Sequence, residues 1–156
     1  MKYVVAAVSF LSLAACAGAA TGDATLDAVK AAHMAPCPAS NVAENARSTG
    51  ELAAKGVTDN ELTRVALAND PVGRNLRLRR LTIAPGGVIA WHEHSGRQGL
   101  SYVVTGQLTE YRNDCREGIA HKAGDVVQEG AGVKHFWRNE SQADAIIFVF
   151  DAPPPS

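Results

Sequence analysis

Two stretches of the sequence indicate its fold and its candidate site: GGVIAWHEH, residues 86–94, and GDVVQEGAGVKHFWRN, residues 124–139. In the first stretch, two glycines open a short apolar run that ends in a His-x-His pair. Alternate residues of a strand point to the same face, so His92 and His94 are expected to present both imidazoles in one direction. In the second stretch, a glycine-rich turn is followed by His135. Because neutral imidazole binds borderline divalent metals well, these three histidines are candidate ligands of one ion.

The residues around the two stretches predict a β-rich domain. From residue 57 onward, short apolar runs are punctuated by Gly, Asn and Asp roughly every eight to twelve residues, which is typical of a β-sandwich or barrel. No long helix is predicted between residues 57 and 150. Strands at 100–105 and 107–112 are predicted to form a hairpin around Gly106. Farther upstream, the alternation puts Arg77 and Arg79 on a polar outer face, with a position at the mouth of the barrel as the alternative. A slip beside Arg79 indicates a β-bulge.

The two stretches resemble the two motifs of the cupin family. The first motif, Gly, five residues, His-x-His, a glutamate and a second Gly, aligns on Gly86, His92, His94 and Gly106. The second motif, Gly, a Pro-x-Gly turn, His and Asn, aligns on Gly124, Gly132, His135 and Asn139. The resemblance implies an all-β fold, the cupin double-stranded β-helix or jelly-roll barrel, with a short N-terminal arm. It also implies one bound divalent metal ion.

Two positions depart from the motifs. The proline of the second motif is Gly130, and the glutamate of the first motif is missing. Gln98 lies at the distance from His94 that the motif gives to its glutamate, but it is one residue too far from the second glycine, Gly106. Counting back from Gly106 by the motif spacing reaches Gly99 instead. An amide oxygen can bind a metal, so Gln98 is the candidate fourth ligand; otherwise the site has three histidines and more open positions. A neutral fourth ligand leaves the charge of the ion uncompensated, which favours an anionic substrate.

Three other residues are candidates for contact with a substrate. Arg97 lies in the loop after the His-x-His pair and can bind a carboxylate with two hydrogen bonds, although a solvated loop arginine is the commoner case. Trp137 and Tyr102 are candidate apolar walls beside the metal, with ordinary core packing as the alternative. Trp91 and Phe136 have the opposite parity and are predicted to pack outside, where cupins often pair as homodimers.

The N-terminus predicts export. Lys2 precedes an apolar run that is too short to span a bilayer but suits a signal peptide. The segment LAAC, residues 13–16, resembles the bacterial lipobox, in which the cysteine receives lipid; the alternative is an ordinary signal peptide cleaved a few residues later. The lipobox interpretation gives a signal peptide at 1–15, a lipid-anchored tether and arm at 16–50, and the barrel at 51–152. It places the protein in the periplasm, attached to the outer membrane through Cys16.

Export leaves two further cysteines, Cys37 and Cys115, in an oxidising compartment. A cysteine pair in such a compartment predicts a disulfide, with two buried thiols as the alternative. The bridge would close a loop of nearly eighty residues and contribute about 4 kcal/mol in the chain-entropy model. It would also hold the N-terminal arm against the barrel.

Composition and motifs together narrow the function. The 156 residues suit one domain, and the formal net charge of −1 without a basic run argues against a nucleic-acid partner. The resemblance implies a metal-dependent enzyme of the oxygenase, isomerase or lyase type, acting on a small polar or phenolic molecule with Fe, Mn, Ni, Zn or Cu. The second hypothesis is a non-catalytic module that binds a small ligand or a metal complex. The third is a structural barrel with incidental histidines.

Overall fold

The computed structural model of the protein describes residues 37–155. This part of the chain forms β1 (Lys55–Ala66), β2 (Asn75–Glu93), β3 (Gly99–Thr105), β4 (Gln107–Arg112), β5 (Ile119–Lys122), β6 (Val126–Glu129), β7 (Lys134–Arg138) and β8 (Ala145–Asp151). Within it, no helix has the length and apolar character needed to cross a bilayer. The predicted signal peptide and the predicted lipidation site Cys16 lie outside the described residues.

The strands form one curled antiparallel sheet in the order β5-β4-β7-β2-β8-β3-β6, with β1 paired to β2. The 19-residue β2 joins the two halves, because its first part pairs with β1 and β8 and its second part pairs with β7. Gly86, with a φ of 71°, lies between the two parts and adopts a backbone conformation that favours glycine. The all-β prediction is confirmed.

The predicted hairpin around Gly106 is wrong. β3 pairs with β6 and β8, whereas β4 pairs with β5 and β7, so the chain crosses between the two halves at this residue. Gly106 has a φ of 79°, and a Cβ atom there would lie 2.8 Å from the Cα of Ala145. The glycine is therefore required by a close crossing of two backbone segments.

The predicted outer face of Arg77 and Arg79 is also wrong. A register shift does occur opposite Arg79, but it lies in β1, between Glu61 and Thr63. β2 itself pairs with β8 without interruption from residue 77 to residue 83. Arg77 and Arg79 therefore share the inward parity of the buried Leu81. They are accommodated there by the carboxylate of Asp151, which accepts from Nε and Nη2 of Arg77 at 2.9 and 2.8 Å and from Nη2 of Arg79 at 3.3 Å.

The apolar core lies between the two halves of the sheet. Its buried members come from six strands and are Leu81, Ile83, Val103, Leu108, Val127, Trp137, Ala145, Ile147 and Val149. The motif asparagine, Asn139, is buried, and its side-chain amide donates to the carbonyl oxygens of Ile83 and Ala143 at 2.8 Å each. It therefore fixes the turn before β8.

The N-terminal arm, residues 37–50, lies on the outer side of β4 and β7. A disulfide joins Cys37 to Cys115, and the guanidinium of Arg47 lies 5.2 Å from the ring centroid of Tyr111. Phe136 stacks on Tyr111 and is 6% exposed. Phe136 has the predicted outward parity, but the arm of the same chain covers it, so it does not offer an open surface to a second subunit.

Candidate metal centre

Three histidines meet where β2 pairs with β7. His92 and His135 are directly opposite each other in this pairing, and His94 lies one residue beyond the end of β2. The backbone N–H of His94 donates to the carbonyl oxygen of Val133 at 3.0 Å, which holds the loop beside β7. Neighbouring strands of one sheet therefore bring the three rings together.

The ring nitrogens converge. The Nε2 atom of His135 lies 2.9 Å from Nε2 of His94 and 3.2 Å from Nε2 of His92. With metal–nitrogen bonds of about 2.1 Å, two ligands at right angles have donor atoms about 3.0 Å apart. The spacing of the three rings therefore fits coordination of one ion.

The hydrogen bonds of the other ring nitrogens fix the tautomers. Each Nδ1 faces an acceptor: Ala90 O at 2.8 Å from His92, Arg97 O at 2.9 Å from His94 and Glu110 Oε1 at 2.5 Å from His135. A carbonyl or an ionised carboxylate has no hydrogen to donate, so each Nδ1 is the donor and each Nε2 of a neutral ring keeps its lone pair. Three lone pairs that point at one another repel unless a cation lies between them. The donor set therefore fits a metal ion.

Burial keeps two of these rings neutral. Burial lowers the pKa of His92 to about 3, and the proximity of His135 contributes in the same direction. Burial also lowers the pKa of His94, although the nearby carboxylate of Glu129 opposes that effect. His92 and His94 are therefore neutral at physiological pH, which is the form that binds metals.

Glu110, a fully buried carboxylate on β4, holds His135 from behind. Its second oxygen accepts from Nε2 of His121 at 3.0 Å. Burial alone would raise the pKa of Glu110, but the hydrogen bonds from His121 and His135, together with the charge of Arg112, lower it to about 2. An ionised carboxylate behind a histidine fixes the ring orientation and increases its basicity as a ligand. Neither Glu110 nor His121 was predicted; the available signal was an acidic residue at a core-facing position of a strand.

A cavity of about 360 Å³ opens beside His92 and His94. This volume lies in the lower part of the range for small-molecule sites. The wall is mostly apolar and includes Leu81, Ile89, Trp91, Trp137, Ile147 and Val149. The polar residues of the wall are Asp59, Arg79, Arg97, Ser101 and Glu129.

Residues 79–151 match the cupin domain family. The matched residues extend from within β2 to the end of β8. A germin-like protein from Morus alba is 33% identical over an alignment of 87 residues, and the match covers 53% of this chain and 42% of that protein. The chain thus spans less than half the length of this relative.

Solved structures agree with the cupin fold. A predicted oxalate decarboxylase from Thermotoga maritima aligns with a TM-score of 0.53 at 19% identity, over 76% of this chain and 98% of that one. A conserved protein from Klebsiella pneumoniae, described by its double-stranded β-helix domain, aligns with a TM-score of 0.52 at 22% identity, over 69% and 82%. The predicted cupin double-stranded β-helix is therefore confirmed.

The structure does not bring Gln98 to the histidines. Its side chain is exposed, and its amide nitrogen donates to the carbonyl oxygens of Ser95 at 2.9 Å and His94 at 3.3 Å. These local bonds hold the amide in the loop between β2 and β3, outside the wall of the cavity. The expected role as fourth ligand is therefore corrected: the Gln98 amide lies away from the three rings and stabilises its own loop.

The other predicted contact residues divide into two groups. Arg97 and Trp137 line the cavity, with the ring of Trp137 5.8 Å from that of His135. Tyr102 does not, because it is 40% exposed on the outer face of β3, where the neighbouring Ser101 points inward. Trp91 packs beside Phe136 as predicted, with ring centroids 6.5 Å apart, and it also borders the cavity.

Glu110→Gln is expected to weaken metal binding about 10- to 100-fold, as loss of a carboxylate behind a ligand histidine does elsewhere. The amide removes the ionised acceptor that keeps the Nδ1 hydrogen of His135 in place. Competition with a chromophoric chelator measures the change. Glu93→Gln is the matched control, since Glu93 is exposed beside His92. Equal affinity of Glu110→Gln and the parent would contradict the prediction.

Proposed function

We propose that this protein holds one divalent metal ion with His92, His94 and His135 and acts on a small anionic molecule in the adjacent cavity. The observation that carries the proposal is the convergence of three Nε2 lone pairs at the wall of that cavity. A divalent ion bound there supplies a Lewis acid for a substrate oxygen. The proposed chemistry is of the oxygenase, isomerase or lyase type.

The cavity residues define the substrate class. Arg97 is 29% exposed, with its Nε 3.5 Å from Asp151, so its guanidinium can turn toward a carboxylate in the cavity. Arg79 also lines the cavity, and its Nε is buried without a hydrogen-bond partner among residues 37–155. The apolar wall that includes Trp137 and Ile147 excludes water from the body of the molecule. These features favour a small carboxylate with an apolar or phenolic body.

A second candidate function is capture of a small ligand without turnover. It is favoured by the loss of the glutamate from the first motif and by the exposed position of Gln98, which leave no carboxylate at the family position. The same cavity and the same ion would then serve binding alone.

We also propose that the protein works outside the cytoplasm, anchored through a lipid on Cys16. The disulfide between Cys37 and Cys115 supports this proposal, because such bonds persist in oxidising compartments. The homodimer remains a proposal as well. It is supported by large apolar side chains exposed on the outer faces of β2, β3 and β8, namely Leu76, Leu100, Tyr102 and Phe150.

The test begins with metal analysis of protein purified without added ions. The metal-free protein is then titrated with Fe, Mn, Ni, Zn and Cu ions. We expect one ion per chain and a stabilisation of about 2.7 kcal/mol when free metal is 100-fold above Kd. His135→Ala should lose both effects, whereas Lys134→Ala, at an exposed position beside it, should keep them.

The second part of the test measures oxygen uptake, isomerisation and lyase activity of the metal-loaded protein on small carboxylates and phenols. Turnover that depends on the ion supports the enzyme. Tight binding of one of these small molecules without turnover supports the second candidate function, capture of a ligand. A parent that gains no stability from any of the five ions, and that behaves like His135→Ala, would overturn the proposed metal centre.

A further inference from the structure

The carboxylate that the first motif lacks is present on another strand of the barrel. Glu129 is the last residue of β6, is 3% exposed and lines the same cavity as His92 and His94. We propose that Glu129 is the fourth protein ligand of the divalent ion and replaces, from β6, the glutamate that the motif places on β3. This inference rests on the proposed metal centre.

Gly99 explains the change of strand. It is the residue reached by counting back from the second glycine of the motif, and it lies directly opposite Glu129 in the β3–β6 pairing. A Cβ atom at Gly99 would lie 2.6 Å from the carbonyl oxygen of Phe150 and 3.0 Å from Cβ of Asp151. No side chain fits there without displacement of β8. The carboxylate must therefore come from a neighbouring strand.

The Glu129 carboxylate lies beside the rings. Its Oε1 lies 4.0 Å from Nε2 of His135, which faces the proposed ion, and its Oε2 lies 3.7 Å from Nδ1 of His94, which faces the carbonyl oxygen of Arg97 instead. Among residues 37–155, the donor atoms that all lie within 4.8 Å of one another are those of the three histidines, so coordination requires the carboxylate to move toward them. Ligand atoms about 2.1 Å from one ion are about 3.0 Å apart at right angles and about 4.2 Å apart on opposite sides. The Oε1 to Nε2 distance is within this range. The hydroxyl of Ser101 donates to Oε1 at 2.6 Å and fixes the carboxylate beside the rings.

The charges around Glu129 call for a cation. Among residues 37–155, no lysine or arginine nitrogen pairs with its carboxylate, and the basic side chains within 4.0 Å are His94 and His135. Asp151, the other buried carboxylate in the same row of residues, pairs with Arg77, Arg79 and Arg97 instead. A buried carboxylate without a partner is costly. A divalent ion at the histidines compensates Glu129, and Glu129 in turn reduces the net charge of the site from +2 to +1.

The test compares Glu129→Gln with the parent and with the control Gln98→Ala. The control removes the side chain that the motif spacing from His94 suggests as the fourth ligand. We expect Glu129→Gln to weaken binding of Mn²⁺ and Co²⁺ about 100-fold or more. This exceeds the loss of affinity that usually follows when a group that only orients a ligand is removed. The visible spectrum of the Co²⁺ form and the electron paramagnetic resonance spectrum of the Cu²⁺ form should also change, because one oxygen ligand is lost. Gln98→Ala should leave affinity and spectra unchanged.

The outcomes separate this inference from the proposed function. If His135→Ala loses the ion while Glu129→Gln binds it as the parent does, the assignment of Glu129 is overturned and the three-histidine centre stands. If His135→Ala also binds as the parent does, the centre itself is overturned. If Glu129→Gln does not fold, Ser101→Ala decides: we expect about tenfold weaker binding, and unchanged affinity overturns the assignment.

Discussion

Asp151→Asn is expected to destabilise the barrel by about 3 to 5 kcal/mol, the usual result of removing one partner from a buried ion pair. Asp151 is 1% exposed at the end of β8. Its two oxygens accept from Arg77 at 2.9 and 2.8 Å, and Arg79 donates to it at 3.3 Å. The amide would leave the largely buried guanidinium of Arg77 without its anion, whereas Arg79 would keep its pairing with Asp59. The desolvation of Arg77 would then be uncompensated.

The effect is large because Asp151 links distant parts of the sheet. It lies opposite Arg77 in the β2–β8 pairing and opposite Gly99 in the β3–β8 pairing. Its side chain therefore neutralises an arginine from β2 at the place where β3 begins. Loss of the charge weakens the contact between the strand that carries His92 and the half of the barrel that carries Glu129.

The pH dependence of stability has a definite sign. Burial alone would raise the pKa of Asp151, but the hydrogen bonds from Arg77 and the charges of Arg79 and Arg97 hold it below the ordinary value of 3.8. Since the folded-state pKa is the lower one, the stabilisation is fully present above the unfolded-state pKa. It is lost as the pH falls through the folded-state pKa. The difference between the parent and Asp151→Asn should be constant from about pH 7 to pH 5 and should shrink below about pH 4.

Urea denaturation at these pH values measures the difference. Asp144→Asn is the matched control, because Asp144 is exposed next to the start of β8 and its replacement should change stability by about 0.5 kcal/mol or less. A loss of less than about 1 kcal/mol for Asp151→Asn at pH 7 would show that the arginines find other partners or water.

The features that could be predicted from the sequence are local ones. The two-residue period of a strand places His92 and His94 on one side without any knowledge of the fold. The short apolar runs with intervening glycines indicate strands, and the structure has eight strands between residues 55 and 151. The motif spacing identified His135 as the third member of the cluster. None of these predictions depends on which strands are neighbours.

The features that were missed depend on strand pairing. Alternation places an arginine outside by default, and Arg77 turns inward because its partner Asp151, 74 positions away, is buried opposite it. A glycine between two apolar runs is equally compatible with a hairpin and with a crossing, and Gly106 forms the crossing because β3 pairs with β6 and β8. Glu129 was overlooked for the same reason: only the β3–β6 register places it opposite Gly99.

The double variant Cys37→Ala/Cys115→Ala is expected to lose about 4 kcal/mol of stability, as the chain-entropy model predicts for a loop of this length. The two cysteines are 78 positions apart, so the loop contains most of the barrel. The bridge restricts the unfolded chain much more than the folded one, in which the arm already pairs with the segment between β4 and β5 at Val42 and Cys115. For a chain of this size the loss corresponds to a fall in Tm of roughly 10–15 °C.

Reduction of the parent should reproduce the effect, because both treatments release the same loop. Alanine is preferred to serine since Cys115 is 0% exposed and a hydroxyl there would be buried. The metal affinity should not change, because the bridge joins the arm to the segment between β4 and β5, and His92, His94 and His135 do not contact it. The arm also keeps its contact between Arg47 and Tyr111 in the folded state. A double variant within about 1 kcal/mol of the parent would mean that the unfolded chain is already compact enough for the bridge to add little restriction.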